Sequence, residues 1–305
     1  MSDTLVRALA YDDHVRVFAC NTTELVRTLR ERHDALPTAT AALGRLATAA
    51  ALMGVQLKGA QDQVILKING GGPLGTLLAD ADAQGRVRAT IDHPDVEIPL
   101  LANGQVDVAS GVGTQGVLTV IKDMGLKDPY QGSISLVNGE VGDDLTQYFA
   151  ASEQTPTALG LSVVLSADEP IKVAGGFLLQ LMPNTPDAVV ALLEHRLQEF
   201  GSLSSLLQQG QTPTEILETI LGEAVTPLAT VELQHHCNCS RERMERALFS
   251  LGANELQAIV EEDGEASLQC NFCREQYRFD KPALEKLVEM AQQRGGNKDA
   301  RSVWQ

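Results

Sequence analysis

TATAALGRLATAAALMGVQL, Thr38 to Leu57, is the stretch on which the fold turns. Alanine has the highest helix propensity of the twenty residues, and the small side chains let a neighbouring element come close. The segment therefore predicts a central, buried helix. Ahead of it, VRVFAC (Val15 to Cys20) reads as a strand and NTTELVRTLRERH (Asn21 to His33) as a capped amphipathic helix. After it come QVILKING from Gln63, GRVRATID from Gly85, QGVLTVIKD from Gln115 and YQGSISLV from Tyr130, runs bounded by glycine, several of them alternating with period two. DDLTQYFAASEQ from Asp143 is helical, and LGLSVVLS from Leu159 and IKVAGGFLLQLMP from Ile171 are apolar segments. Together they predict an α+β fold, a large N-terminal domain with a mainly antiparallel sheet packed by helices.

Pro183, Asn184, Thr185 and Pro186 break the pattern, which places a boundary after residue 183. From 184 to 231 the chain turns helical and polar, with VVALLEHRLQEF and TEILETILGE separated by the Ser/Gln/Gly stretch GSLSSLLQQGQ. It reads as a helical linker with few residues to bury, able to open without unfolding the large domain. A small α+β module follows over 232–288, and 289–305 is a polar tail that predicts disorder.

That module holds Cys237, Cys239, Cys270 and Cys273, a CxC pair and a CxxC pair thirty residues apart. Tetrahedral zinc takes four soft ligands, and two short chelating pairs joined by a foldable spacer fit that demand. In the spacer Ser240 is an N-cap, Arg241 to Ser250 a helix stopped by Gly252, Glu255 to Glu262 a second helix, and Asp263-Gly264 a turn into a strand ending at Cys270. CxxC pairs alone would favour a purely structural zinc site. CxC instead sets two sulfurs close enough to bond through a small strained ring once a metal leaves, so the site can become two local disulfides. Zinc would keep the sulfurs as thiolates, the form that peroxide attacks. His235 and His236 precede the first pair but are not needed where four thiolates close the shell. Cys20 ends an apolar strand and reads as a core residue.

The net charge is −16, and between Glu232 and Asp280 ten acids face five arginines. Such a balance repels phosphate backbones, so nucleic acid is not expected as a partner. No run of eighteen apolar residues exists, and MSDTLVRALAYDDHVR carries acids where a signal peptide needs a basic start, so the expectation is a cytoplasmic protein without a membrane partner. Gly70 to Gly75, GGGPLG, formally satisfies a dinucleotide fingerprint, but strand, turn and strand follow it where a helix is required. It reads as a glycine-permitted turn, and Gly175-Gly176 as a bulge or packing point. Ser152 and His14, His33, His93 and His195 form no triad visible in the sequence.

HCNCSRERMERALFSLG and CNFCREQYRF, with GGGPLG, YQGSISLV, SEQTPT and GGFLLQLMP, resemble the redox-regulated bacterial 33 kDa chaperonin family, the heat-shock protein HslO, over almost the whole chain. The resemblance implies a cytoplasmic ATP-independent holdase chaperone and not an enzyme. It would be inactive when reduced and bound to one zinc ion through the four cysteines. Oxidative stress, helped by heat, would join Cys237 to Cys239 and Cys270 to Cys273, release zinc, and expose apolar surface that captures unfolding client proteins, with a homodimer as the active form. Two other classes fit the cysteines: a zinc ribbon that binds nucleic acid or protein, and a thiol oxidoreductase using one pair.

Overall fold

The computed structural model describes residues 2–166 and 170–299. They form two compact units, Met1–His236 and Cys237–Gln305. In the first, the strands are β1 (Thr4–Ala10), β2 (Val15–Asn21), β3 (Gln63–Asn69), β4 (Leu77–Asp82), β5 (Arg86–Ile91), β6 (Val117–Asp123), β7 (Tyr130–Ser135), β8 (Thr157–Val164), β9 (Val173–Leu181), β10 (Ala229–Glu232) and β11 (Gln234–His235). Its helices are α1 (Thr23–His33), α2 (Pro37–Gly54), α3 (Val108–Val112), α4 (Val141–Tyr148), continued by a π turn over Phe149–Glu153, α5 (Asp187–Glu199), α6 (Leu203–Gln208) and α7 (Pro213–Leu221). The second unit holds α8 (Arg241–Phe249), α9 (Ala253–Glu262), β12 (Glu265–Gln269), β13 (Gln276–Asp280) and α10 (Lys281–Asp299).

The α+β fold with antiparallel sheets is the one the sequence predicts. One sheet runs β10-β1-β2-β9-β8 and the other β11-β5-β4-β3-β6-β7. Every pair is antiparallel except the short β11 against β5. Between the two sheets lies α2, opened by Pro37 at its first position and buried along almost its whole length. Leu43, Leu46 and Leu52 meet Val64, Leu66 and Ile68 from one sheet and Leu5, Phe18 and Leu178 from the other. Cys20 joins this core, fully buried, and burial pushes its thiol pKa up, as an inert core cysteine requires.

The glycines of GGGPLG let two loops touch backbone to backbone. The Gly72 N–H donates to Val112 O at 2.9 Å, and a Cβ there would lie 2.4 Å from Gly111 O. Strand β4 follows, so the dinucleotide reading has no support in the structure. Gly72→Ala is expected to destabilise the first unit by about 1–3 kcal/mol, the usual cost of forced overpacking, seen as a lowered denaturation midpoint. Gly175 and Gly176 pack tightly in β9, against Cys20 O and Thr48.

Asp3 is buried, and its carboxylate accepts the Glu24 N–H at 3.1 Å and the Leu25 N–H at 2.7 Å at the start of α1. Burial outweighs these amides and raises its pKa to about 6. A carboxyl raised in the folded state favours folding in its protonated form, so its stabilisation is present below about pH 4 and lost as pH climbs to about 6. Asp3→Asn removes this dependence. The stability of the variant relative to the parent should rise by up to about 3 kcal/mol between pH 4 and 7, read from denaturant melts at each pH.

The segment expected to bury little behaves otherwise. The face of the first sheet turned away from α2 carries Val6, Ala8, Val15, Val17, Ala19, Phe177 and Leu179. Leu193 of α5, Leu203, Leu206 and Leu207 of α6, and Ile216, Leu217, Ile220 and Leu221 of α7 cover it. The stretch read as a spacer contains α6 because Leu203, Leu206 and Leu207 sit at helical spacing behind the Ser202 N-cap. A capping box between Thr212 and Glu215 starts α7, and Gly222 at φ 71° ends it. Helix α5 is the exception, with Leu193 its one buried residue.

Residues 232–236 belong to the first compact unit, through β10 and β11. Helix α10 reaches Asp299, so the residues expected to be disordered are helical as far as that point, because extending an existing helix costs far less than nucleating one. The rest of the predicted tail, 300–305, lies outside the described residues.

Candidate metal centre

The cysteines sit on an extended segment and a turn of the second unit. Cys237 and Cys239 lie on the extended chain before α8, whose N-cap Ser240 accepts the Arg243 N–H at 3.3 Å. Cys270 and Cys273 form the turn between β12 and β13, which pair from Glu265↔Asp280 to Gln269↔Gln276. That turn closes on the Cys270 N–H donating to Glu275 O and the Arg274 N–H donating to Cys270 O, both 2.9 Å, with Arg274 at φ 59°. The spacer helices read from the sequence are α8 and α9, and the turn at Gly264 has φ 71°. Leu248, Leu256, Val260, Phe279, Leu284, Leu287 and Val288 form the small core behind them.

These two segments bring the four sulfurs within 4.8 Å of one another. Cys237 Sγ is 3.7 Å from Cys270 Sγ, and Cys239 Sγ is 3.3 Å from Cys273 Sγ. Four sulfurs about 2.3 Å from a central tetrahedral ion would stand about 3.8 Å apart, so the cluster has the right size for one. No disulfide joins them. Cys270 and Cys273 are buried and Cys237 and Cys239 half-buried.

Electrostatics point the same way. Burial, then the neighbouring thiols, raises the pKa of Cys237 and Cys273. Burial also opposes the Cys270 anion, but the N–H groups of Cys273 and Phe272 together with hydrogen bonds from the Cys273 and Cys237 thiols outweigh it and lower that pKa. The turn thus aims amides at sulfur while like charges crowd the cluster, an arrangement a dication would relieve. The donor set, its size and its charge all fit a metal ion.

Neither neighbouring histidine belongs to the cluster. His235 lies in β11 with both ring nitrogens buried and without a hydrogen-bond partner, and burial, then Arg32 and His33, lowers its pKa to about 4. Tyr277 was not singled out in the sequence, yet its hydroxyl lies 3.1 Å from Cys239 Sγ. Its position on β13, four residues past Cys273, was the available signal. Arg241 stacks over the Phe279 ring at 4.3 Å and donates to Arg278 O at 2.8 Å, tying α8 to the hairpin.

Comparison with known proteins adds to this geometry. The family model for the Hsp33 protein matches residues 3–280. The chain belongs to the Hsp33 family. Its curated Hsp33 relatives include the 33 kDa chaperonin of Bacillus pumilus, 47% identical over 94% of this chain and 98% of that protein. The 33 kDa chaperonin of Bacillus subtilis is also 47% identical, over 93% of this chain and 98% of that protein. Among solved Hsp33 structures, the crystal structure of the 33 kDa chaperonin from Thermotoga maritima superposes with a TM-score of 0.89 at 34% identity, covering 95% of this chain and 99% of that one. Among the described residues no helix is long and apolar enough to cross a membrane.

Proposed function

We propose that the protein is an ATP-independent holdase chaperone switched on by oxidation, the reading that unites its Hsp33 membership with its cysteine cluster. The observation that carries it is that the chain holds both a four-thiol cluster and an apolar sheet face, Val6, Val15, Val17, Phe177 and Leu179, covered by the helices α5, α6 and α7. In the reduced state Cys237, Cys239, Cys270 and Cys273 hold one zinc ion, which contributes the free energy of an otherwise marginal fold. On oxidation Cys237 joins Cys239 and Cys270 joins Cys273. Forming each S–S bond from two thiolates releases two electrons, which, with two protons taken from solvent, break the O–O bond of hydrogen peroxide to give two waters. Paired sulfurs no longer offer anionic donors, so the metal leaves and the module over 232–288 loses its fold. The linker, 184–231, then lifts from the sheet. The face beneath binds unfolding clients in the cytoplasm, and a homodimer is the active form.

Light scattering from a heat-aggregating client tests the reading. Peroxide-treated protein should suppress aggregation without ATP, dithiothreitol should reverse the effect, and sedimentation should show the dimer in the active sample alone. Suppression by the reduced, zinc-bound protein would refute the switch. The net charge of −16 counts against the nucleic-acid ribbon, and tight RNA or DNA binding at low salt would restore it. Saturable turnover of a small disulfide would favour the oxidoreductase.

A further inference from the structure

Residues Leu228 to His236 form one extended strap along the edges of both sheets of the first unit. Ala229, Val231, Leu233 and His235 turn inward while Thr230, Glu232, Gln234 and His236 are exposed. The first half pairs antiparallel with β1, from Arg7↔Ala229 to Thr4↔Glu232, and the Leu228 N–H donates to Arg7 O at 2.8 Å. Leu233 N–H then reaches Asp3 O at 3.0 Å, Gln234 N–H reaches Gly85 O at 3.0 Å, and His236 N–H reaches Val87 O at 2.9 Å. Between them the strap passes from β1 to β5. Gly85, at φ 78°, allows this: a Cβ there would lie 2.2 Å from Glu232 O.

The strap is held weakly for its length. Its strands span four and two residues, and Leu233 alone among its side chains is buried. His235 contributes two buried ring nitrogens with no partner, a cost to the closed arrangement. Beneath the strap β1 is anchored independently, paired with β2 from Leu5↔Cys20 to Ala10↔Val15 and burying Leu5, Val6, Ala8 and Ala10. Removing the strap would leave two formed strands with unpaired edges. Cys237 follows His236 directly in the chain.

We propose that these two edges, β1 above all, are a docking site for an extended segment of an unfolding polypeptide, which adds as a strand where the strap now lies. The inference rests on the holdase reading and adds to it a site and a mode of recognition. Strand addition draws its affinity from main-chain hydrogen bonds, which every client offers, and its preference from the side-chain pockets. Val231 and Leu233, which pack on the core of the first unit, point to a preference for branched apolar residues at every second position. The strap is thus an internal stand-in for the client. The outer edge of the other sheet, β7, pairs among the described residues only with β6 and carries exposed Tyr130, Gln131 and Ser133. It is open in either state, so it serves as the control.

The test is photo-cross-linking in the full chain, with Arg7→p-benzoylphenylalanine on β1 and Ser133→p-benzoylphenylalanine on β7, each mixed with a heat-unfolding client. Client adducts from position 7 should rise about tenfold on oxidation and exceed those from position 133 by a similar factor. Leu233→Asp, which places a carboxylate in the core and should free the strap, is expected to give the position-7 adducts in the reduced protein with zinc still bound. If oxidised protein suppresses aggregation while adducts from position 7 stay at the level of position 133, the edge site is wrong and the holdase reading survives. If no condition suppresses aggregation, the holdase reading fails and the edge site with it.

Discussion

A chain carrying Cys273→Ser is expected to lose its metal and, with it, the fold of the second unit. Structural zinc supplies about 10–16 kcal/mol of apparent binding free energy in small modules, whereas most of a small core's gain is consumed by chain entropy. Here that core is Leu248, Leu256, Val260, Phe279, Leu284, Leu287 and Val288. Serine keeps the size of the side chain but offers a hydroxyl that stays protonated, so three thiolates remain and the cluster is open. Metal content should fall from one per chain to near zero. Cobalt added in place of zinc should give no tetrathiolate charge-transfer band, and far-ultraviolet dichroism should lose the contribution of α8 and α9. A variant that keeps its metal and its helices would show that the four sulfurs are not a single site.

Leu217→Asp is expected to switch the protein on in reducing buffer with its zinc in place. Leu217 is fully buried on α7, against the sheet face that includes Val6, Val17 and Phe177. An isolated carboxylate there carries a desolvation cost of several kcal/mol, more than one amphipathic helix gains by docking. The helices should therefore lift while α2 and the second sheet, which use other contacts, remain folded. The checks are client light scattering in dithiothreitol, zinc content, and binding of a dye specific for exposed apolar surface. Dye binding without client protection would mean that the uncovered face is not where clients are held.

Much of the core was legible because its elements carry unmixed signals. Helix α2 is alanine-rich throughout, and β3, with its burial alternating along VILKI, follows the period of a sheet buried on one side. The clustering of the four cysteines was legible for a different reason: CxC and CxxC fix the local bites, and the spacer holds its own N-cap at Ser240 and its own turn at Gly264. The linker was harder to read. Whether Leu203, Leu206, Ile216 and Ile220 are buried depends on a sheet face supplied by β9 and, from far away in sequence, by β1 and β2; the near-continuous burial of β2 and β9 is the sign of a sheet covered on both sides. The strap was missed although ATVELQHH alternates apolar and polar as a half-buried strand does, because it straddles the boundary placed between linker and module at residues 231 and 232. Its structure comes from the edges of β1 and β5, not from its own propensity. Tyr277 shows the same limit, since a phenol reaches Cys239 only after β12 and β13 have paired.

The central claim is that loss of the metal uncovers the first sheet. Hydrogen exchange read by mass spectrometry, with zinc release followed by a chromogenic chelator in the same peroxide-treated sample, tests it most directly. The account predicts that amides of α6 and α7, and of residues 228–236, lose protection in step with zinc release while β3, β4 and β6 keep theirs. Zinc released with α6 and α7 still protected would contradict it, and would make the cysteine cluster a structural site without a hold on the sheet.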